Sequence, residues 1–230
     1  MNVLVTGASG LLGRHLLPVL RARGHRVVSV SRHSPAIAPG EDTGHVTVDL
    51  LRQLPPSEAL GADALVHLAW ETTPGSYWQS PANVRWRDAS RRLVERFLEE
   101  GGRRVLIAGS CAEYRWDNSR CLEDATPLAM ASPYSKAKIE LHEQLKGTVA
   151  KVSGASLTWS RIFFPYGPGE APGRLVPYTI GALLRGEEVN CSDGTQRRDY
   201  IHAGDVASAL AILLENPRAA GTFNVASGKA

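Results

Sequence analysis

Cysteine is scarce: Cys111, Cys121 and Cys191 are the only three in 230 residues. The number is odd and no CxxC occurs, so neither a disulfide framework nor a metal site is expected. Cysteine usage of this kind points to a reducing setting, and the expected location is cytoplasmic. No apolar run approaches the length of a bilayer span. Met1 to Val5 lead straight into a strand without a basic leader, so neither a membrane anchor nor a signal peptide is expected. Charge of one sign is also lacking: 26 Lys and Arg stand against 23 Asp and Glu, a net charge of +3. Its basic residues are spread out, and pairs such as Arg91–Arg92 and Arg103–Arg104 read as solvated faces. That disfavours nucleic acid as a partner and fits a small anionic ligand. Internal repeats and low-complexity tracts are absent.

What is present is an alternation. Short β-branched apolar runs at 2–6, 26–30, 46–50, 64–68, 104–108 and 156–162 read as buried strands. Between them lie helical patterns, among them a helix after residue 10 that stops at Gly24, a long one at 82–100 and another at 133–147. Strands alternating with helices mean βαβ units. The expected fold class is therefore α/β, a Rossmann-type doubly wound parallel sheet. Residues 1–164 are expected to form the main domain. From Pro165 the texture turns irregular, and 165–230 is expected to be a smaller part that partly returns to the main domain. It holds helices at about 175–185 and 205–215 and a late strand at 222–226.

The first strand runs into GASGLLG at 7–13, a GxxGxxG spacing that opens an amphipathic helix. Glycines there permit a tight turn, close approach of backbone to a pyrophosphate, and close helix–strand packing, while the helix N-terminus faces the negative charge. A glycine triplet alone is weak evidence, but this one has the strand before it and the helix after it, so 1–164 is expected to be a dinucleotide-binding domain with the catalytic residues and 165–230 a small, shortened substrate-binding part. An acid closing the second strand would bind the 2′-hydroxyl of NAD. Here that strand ends in Ser31, Arg32 and His33, with no carboxylate. Arg32 would instead pair with a 2′-phosphate, helped by Ser31 and Arg14, so NADP is favoured over NAD. Asp49 could accept from the adenine amino group or simply end a strand.

Tyr134 and Lys138 stand four apart on the 133–147 helix, which Pro133 opens, and so share a face, whereas Lys136 faces elsewhere. A neighbouring ammonium and an oxidised nicotinamide would favour the phenolate, lower the tyrosine pKa and let it trade a proton near neutral pH. Ser110 follows the fifth strand at the carboxyl edge of the sheet, where it could hold the reacting oxygen.

In this order the pieces resemble the extended short-chain dehydrogenase/reductases that act as sugar-nucleotide epimerases, dehydratases and reductases. The likeness runs through TGASGLLG at 6–13, VDL at 48–50, HLA at 67–69, GSCAEY at 109–114, YSKAK at 134–138, YGPGE at 166–170, RRDYIHAGDVA at 197–207 and FNVASGK at 223–229. It implies a catalytic set of Ser110, Tyr134 and Lys138, with Asn83 at a helix-kink and proton-relay position. It implies cofactor contacts from Gly7, Ser9, Gly10, Leu11, Leu12 and Gly13, then from Ser31, Arg32, Asp49 and Leu50. Leu68, Ala69, Trp70, Tyr134, Lys138 and Phe163 complete that set. Arg198 is expected on the diphosphate of a nucleotide sugar, since its fork binds phosphate oxygens bidentately. Cys111 and Trp70 are expected at the substrate, and Tyr77 and Trp78 as possible pocket walls. Helices 82–100 and 133–147 are expected to pair in a homodimer.

Three departures bear on function. Dehydratases of this kind place an Asp–Glu pair just after the catalytic hydroxyl residue, where this chain has Cys111 and Ala112, and Glu113 lies too far along to replace it. Phe164 stands in place of the family's asparagine after the sixth strand. The sequence also stops at Ala230, just after FNVASGK, where relatives continue. The leading expectation is an NADP(H)-dependent reductase of a keto group on a nucleotide-linked sugar. Alternatives are an epimerase with tightly bound NAD, a reductase of a non-nucleotide carbonyl, and a dinucleotide-binding sensor without turnover.

Overall fold

The period-2 alternation of a β-strand puts successive side chains on opposite faces of a sheet, and here both faces are apolar. In the computed structural model, which describes residues 1–33, 44–117 and 120–230, Val3 and Val5 of β1 (Asn2–Thr6) point one way and Leu4 the other. The same split separates Ala64 and Val66 from Leu65 in β4 (Ala64–His67), and Leu106 from Val105 and Ile107 in β5 (Arg104–Ser110). Two-sided burial of this kind demands helices on both faces.

Helix α1 (Leu11–Ala22) covers one face, joined there by α6 (Ala203–Glu215), with Leu16, Leu20, Val206 and Leu210 meeting the Val3–Val5 side. The other face carries α3 (Ala82–Glu99) and α4 (Pro133–Val149), whose Leu93, Phe97 and Leu141 meet Leu4, Leu65 and Ile107. Leu4, Leu65 and Ile107 are fully buried, worth roughly 1.5–3 kcal/mol each.

The remaining strands are β2 (Arg26–Ser31), β3 (His45–Thr47), β6 (Ser156–Ile162) and β9 (Gly221–Val225). All seven are parallel, in the order β3-β2-β1-β4-β5-β6-β9. The chain winds outward from β1 in both directions, so a crevice opens beyond the carboxyl ends of β1 and β4, where open α/β sheets bind ligands. Helix α6 and strand β9 lie beyond residue 165 yet pack on and extend this main sheet.

Differences from the sequence reading are local. The third strand was expected at 46–50 but covers only His45–Thr47; after the Val48 amide donates to Ser31 O (3.1 Å), Asp49 turns the chain. A two-stranded parallel ribbon, β7 (Phe164–Tyr166) with β8 (Tyr200–His202), was not expected, nor was the one-turn helix α2 (Ser57–Leu60). Helix α5 (Leu175–Leu184) stands apart from the main layers, with Ile180, Leu183 and Leu184 exposed. Among the described residues no helix is long and apolar enough to cross a membrane.

Candidate active site

The glycine loop is built by close approach of backbones. Gly7 adopts φ 73°, and a Cβ there would lie 2.7 Å from Ala69 N. A Cβ on Gly13 would lie 2.6 Å from Ala8 Cα and Ala8 O, so only glycine lets α1 start against the end of β1. Gly10 is different: its absent side chain meets only Gly7 O, at 3.2 Å, and otherwise faces open space. No side chain caps the N-terminus of α1 and no acid sits in its first turn. Those amides and the positive end of the helix dipole face the crevice, the arrangement that suits a phosphate.

Beyond the loop lies one cleft of about 650 Å³, within the range of cofactor and substrate sites. It gathers the loop residues Gly7, Ser9, Gly10, Leu11, Leu12 and Gly13 with Ser31, Arg32, Leu50, Leu68, Ala69 and Trp70. Ser110, Cys111, Tyr134, Lys138 and Phe163 line the same space. Two predicted cofactor or catalytic residues are not on its wall. Asp49 accepts from Leu51 N (3.1 Å) and pairs with Arg52 (3.4 Å), the behaviour of a turn aspartate. Asn83 is buried in the first turn of α3, donating to Tyr77 O (2.7 Å) and Ser80 O (2.9 Å) and accepting from Trp70 Nε1 (2.8 Å). It thereby fastens the loop carrying Trp70, Tyr77 and Trp78 to the helix.

Helix α4 begins where its sequence dictates. Ser132 Oγ accepts from Ser135 N (3.1 Å) and Pro133 occupies the first turn. Tyr134 follows at the cleft, and Lys138 lies one turn on. Three rings grip the Tyr134 phenol edge-on: Tyr77 at 5.0 Å, Trp78 at 5.5 Å and Trp70 at 6.2 Å between centroids. Burial pushes its pKa up, and the Ser110 hydroxyl works against that rise. The expected lowering by Lys138 is therefore not what the chain alone produces. Lys138 Nζ donates to Ala108 O (2.8 Å) and sits 3.8 Å over the Trp70 ring, 5.9 Å from the Tyr134 centroid. Burial lowers the Lys138 pKa to about 7, with the Glu113 charge opposing. Lys136 faces away, as expected, exposed and 3.9 Å from Glu140.

Ser110 is set by the short 3-10 turn Cys111–Glu113 that follows β5. Its Oγ accepts from Ala112 N (3.2 Å), while Glu113 Oε1 accepts from Ser110 N (2.8 Å). Cys111 presents a buried thiol, pushed up to about 12 mainly by burial. Arg32 is half exposed and 3.8 Å from Glu71, and Ser31 Oγ donates to His33 O (2.5 Å).

Arg198 lies outside the main cleft. Its guanidinium carbon is 5.4 Å from the Phe164 ring and 5.8 Å from the Trp116 ring, and Asp199, rather than pairing with it, accepts from Ser227 and Gly228. A smaller recess of about 120 Å³ continues from Phe164 to Tyr200. Arg174 and Glu170, not singled out from the sequence, line both spaces. Arg174 approaches the Tyr77 ring (5.3 Å) and donates to Thr72 O (3.2 Å). Glu170 Oε2 is buried without a hydrogen-bond partner among the described residues, and burial raises its pKa. The only sequence signal for this pair was the turn-rich YGPGE segment, which marks a loop but not where its charges point.

Known proteins are similar to this chain in sequence and in fold. A UDP-glucose 4-epimerase of Bacillus subtilis (strain 168) is 24% identical over 263 residues, covering 99% of this chain and 78% of its own. A CDP-abequose synthase of Salmonella typhimurium is 29% identical over 224 residues, covering 93% and 70%. The solved structure of MoeE5 in complex with UDP-glucose and NAD superposes with a TM-score of 0.84 at 31% identity, over 100% of this chain and 77% of that one. The sequence profile of the NAD dependent epimerase/dehydratase family matches residues 3–226. From loop, sheet order and profile together, this chain is a member of the NAD dependent epimerase/dehydratase family.

Proposed function

We propose that the chain is a nucleotide-sugar epimerase of the nicotinamide-dependent kind, inverting one carbinol carbon of its substrate. The observation that carries this reading is that Ser110, Tyr134 and Lys138 line the same cleft as the glycine loop. The loop from Gly7 to Gly13, with Ser31, Arg32, Leu50, Ala69 and Phe163, would hold the dinucleotide, and the uncapped α1 terminus and the Gly10 opening fit its pyrophosphate. When bound, that group supplies a reversible two-electron acceptor for the reacting carbon. Tyr134 moves the proton at the substrate oxygen. Left to itself it rests as a neutral phenol, and the Ser110 hydroxyl is the donor that steadies its ionised form. Lys138 supplies the cationic charge. The rings of Trp70, Tyr77 and Trp78 keep water from the phenol. Arg174 offers a fork for the diphosphate at the far end of the cleft, with Arg198 beyond the Phe164 side.

Two observations narrow the chemistry. Water elimination needs a positioned acid and base, and the two places after Ser110 where the resemblance would put them hold a thiol pushed up to about 12 and an alanine. Kinship with UDP-glucose 4-epimerase supports inversion. A second reading, net reduction of a keto sugar with NADPH, is favoured by Ser31 and Arg32 standing where an acid would select NAD. The test is to incubate the protein with UDP-, CDP- and dTDP-linked hexoses without added reductant and follow the sugar by proton NMR. Appearance of the inverted sugar with no net reduced cofactor is expected. Turnover only with stoichiometric consumption of NADPH would move the assignment to reduction, and no turnover with any nucleotide sugar would overturn both. We also propose a homodimer through α3 and α4, whose exposed Val84 is the apolar group such a contact would cover; light scattering tests it.

A further inference from the structure

Beneath the cleft floor lies a charge that the chemistry above does not use. Glu113 is fully buried, and its carboxylate accepts from Arg161 Nε (2.8 Å), from Trp159 Nε1 (3.0 and 3.1 Å) and from the Ser110 amide (2.8 Å). Arg161 is almost as buried, and its other bonds go to Tyr114 Oη (3.0 Å) and Glu123 O (3.3 Å). Room for this carboxylate exists because residue 109 is glycine: a Cβ there would lie 2.8 Å from Glu113 Oε1 and closer still to the Trp159 indole nitrogen.

A buried ion pair is weak evidence of stability, because desolvation offsets much of the attraction. Neutralising Arg161 therefore does not explain why the carboxylate also reaches back to the Ser110 amide. We propose that Glu113 is a positioning residue, fixing Ser110 at the cleft through its backbone and supplying a buried negative charge at the end of β5, to which Lys138 Nζ also bonds through Ala108 O. Around Lys138, β4 contributes His67, held neutral down to about 3, and α4 contributes the Tyr134 phenol, while the Glu113 charge opposes the lowering of the Lys138 pKa by burial. The role rests on Ser110, Tyr134 and Lys138 being the reacting set, so the test has one arm that needs no substrate.

The chain has five lysines, of which Lys138 is buried in α4, so ¹³Cε-lysine NMR resolves its titration, assigned with Lys138→Met. Glu113→Gln leaves Arg161 orphaned and is at risk of misfolding; Glu113→Gln combined with Arg161→Met removes both charges and restores a neutral interior. In that double variant the Lys138 midpoint is expected to fall below the wild-type value. Turnover of UDP-glucose is expected to drop on the order of tenfold to a hundredfold, with KM little changed and NAD binding retained. A double variant with an unmoved Lys138 midpoint and wild-type kcat would overturn the proposal, leaving Glu113 a mere counter-charge for Arg161. If the wild type turns over no nucleotide sugar, the functional reading fails, while the Lys138 midpoint still decides the role of Glu113.

Discussion

Replacing Gly13 by alanine tests whether the loop is shaped by packing or by ligand. The added methyl would lie 2.6 Å from Ala8 Cα and Ala8 O, and against Gly7 O, all main-chain atoms that cannot swing aside. The start of α1 must therefore lift from the end of β1. Overpacking of this kind costs about 1–3 kcal/mol, which for a chain of this size lowers the melting temperature by roughly 2–10 °C. Because the same amides face the cleft, NAD affinity should fall by about tenfold or more, equivalent to at least ~1.4 kcal/mol. Gly10→Ala is the control. Its methyl meets only Gly7 O, at 3.2 Å, and Gly10 lines the cleft, so the fold should melt within about 2 °C of wild type while NAD binding weakens. Differential scanning fluorimetry with and without NAD, paired with isothermal titration, reads both quantities. A Gly13→Ala protein with wild-type melting and affinity would refute the packing argument, and a Gly10→Ala protein that binds NAD normally would refute the placement of the pyrophosphate.

Other outcomes follow from single contacts. Arg32→Ala should weaken NADP by about tenfold to a hundredfold and leave NAD unchanged in fluorescence titrations; equal loss for both would remove Arg32 from the 2′ position. His67, buried between Thr6 Oγ1 and Ser90 Oγ (2.7 Å each), is held down to about 3 by burial first and by Lys138 second. Its unfolded form takes a proton near 6.5 while the folded form does not, so its contribution to stability is full above that value and is lost as pH falls toward 3. Urea unfolding across this window should show a shallower acid slope in His67→Gln, and an unchanged slope would contradict the assignment. Asn83→Ala should loosen Trp70 and Tyr77 and raise KM for substrate more than it shifts melting; a change in melting alone would limit Asn83 to a structural role.

Much of the sheet was readable in advance because both of its faces are buried. Continuous β-branched runs such as 2–6 and 104–108 mark central parallel strands, and Tyr134 with Lys138 needs only helix periodicity to share a face. The glycine loop was legible because its spacing is tied to a strand and a helix. What escaped depended on distant partners. Strands β7 and β8 have three residues each, one of them Pro165, and exist only because residues 164 and 200 meet. Glu113 read as a misplaced acid, since its partners Trp159 and Arg161 come from β6 and only the fold brings them beneath Ser110. The acidity of Tyr134 was misjudged because spacing shows a lysine nearby but not where the ammonium points or how many rings enclose the phenol. Arg174 and Glu170 sit around a loop whose course no periodicity encodes.

The most direct measurement of the central claim is Tyr134→Phe. The phenyl ring keeps the contacts with Tyr77, Trp78 and Trp70 and loses only the hydroxyl that faces Ser110. Melting temperature and NAD affinity should stay at wild-type values, while turnover of the nucleotide sugar found in the NMR screen falls by roughly 10²–10⁴. Undiminished turnover by a folded, NAD-binding Tyr134→Phe protein would contradict the account.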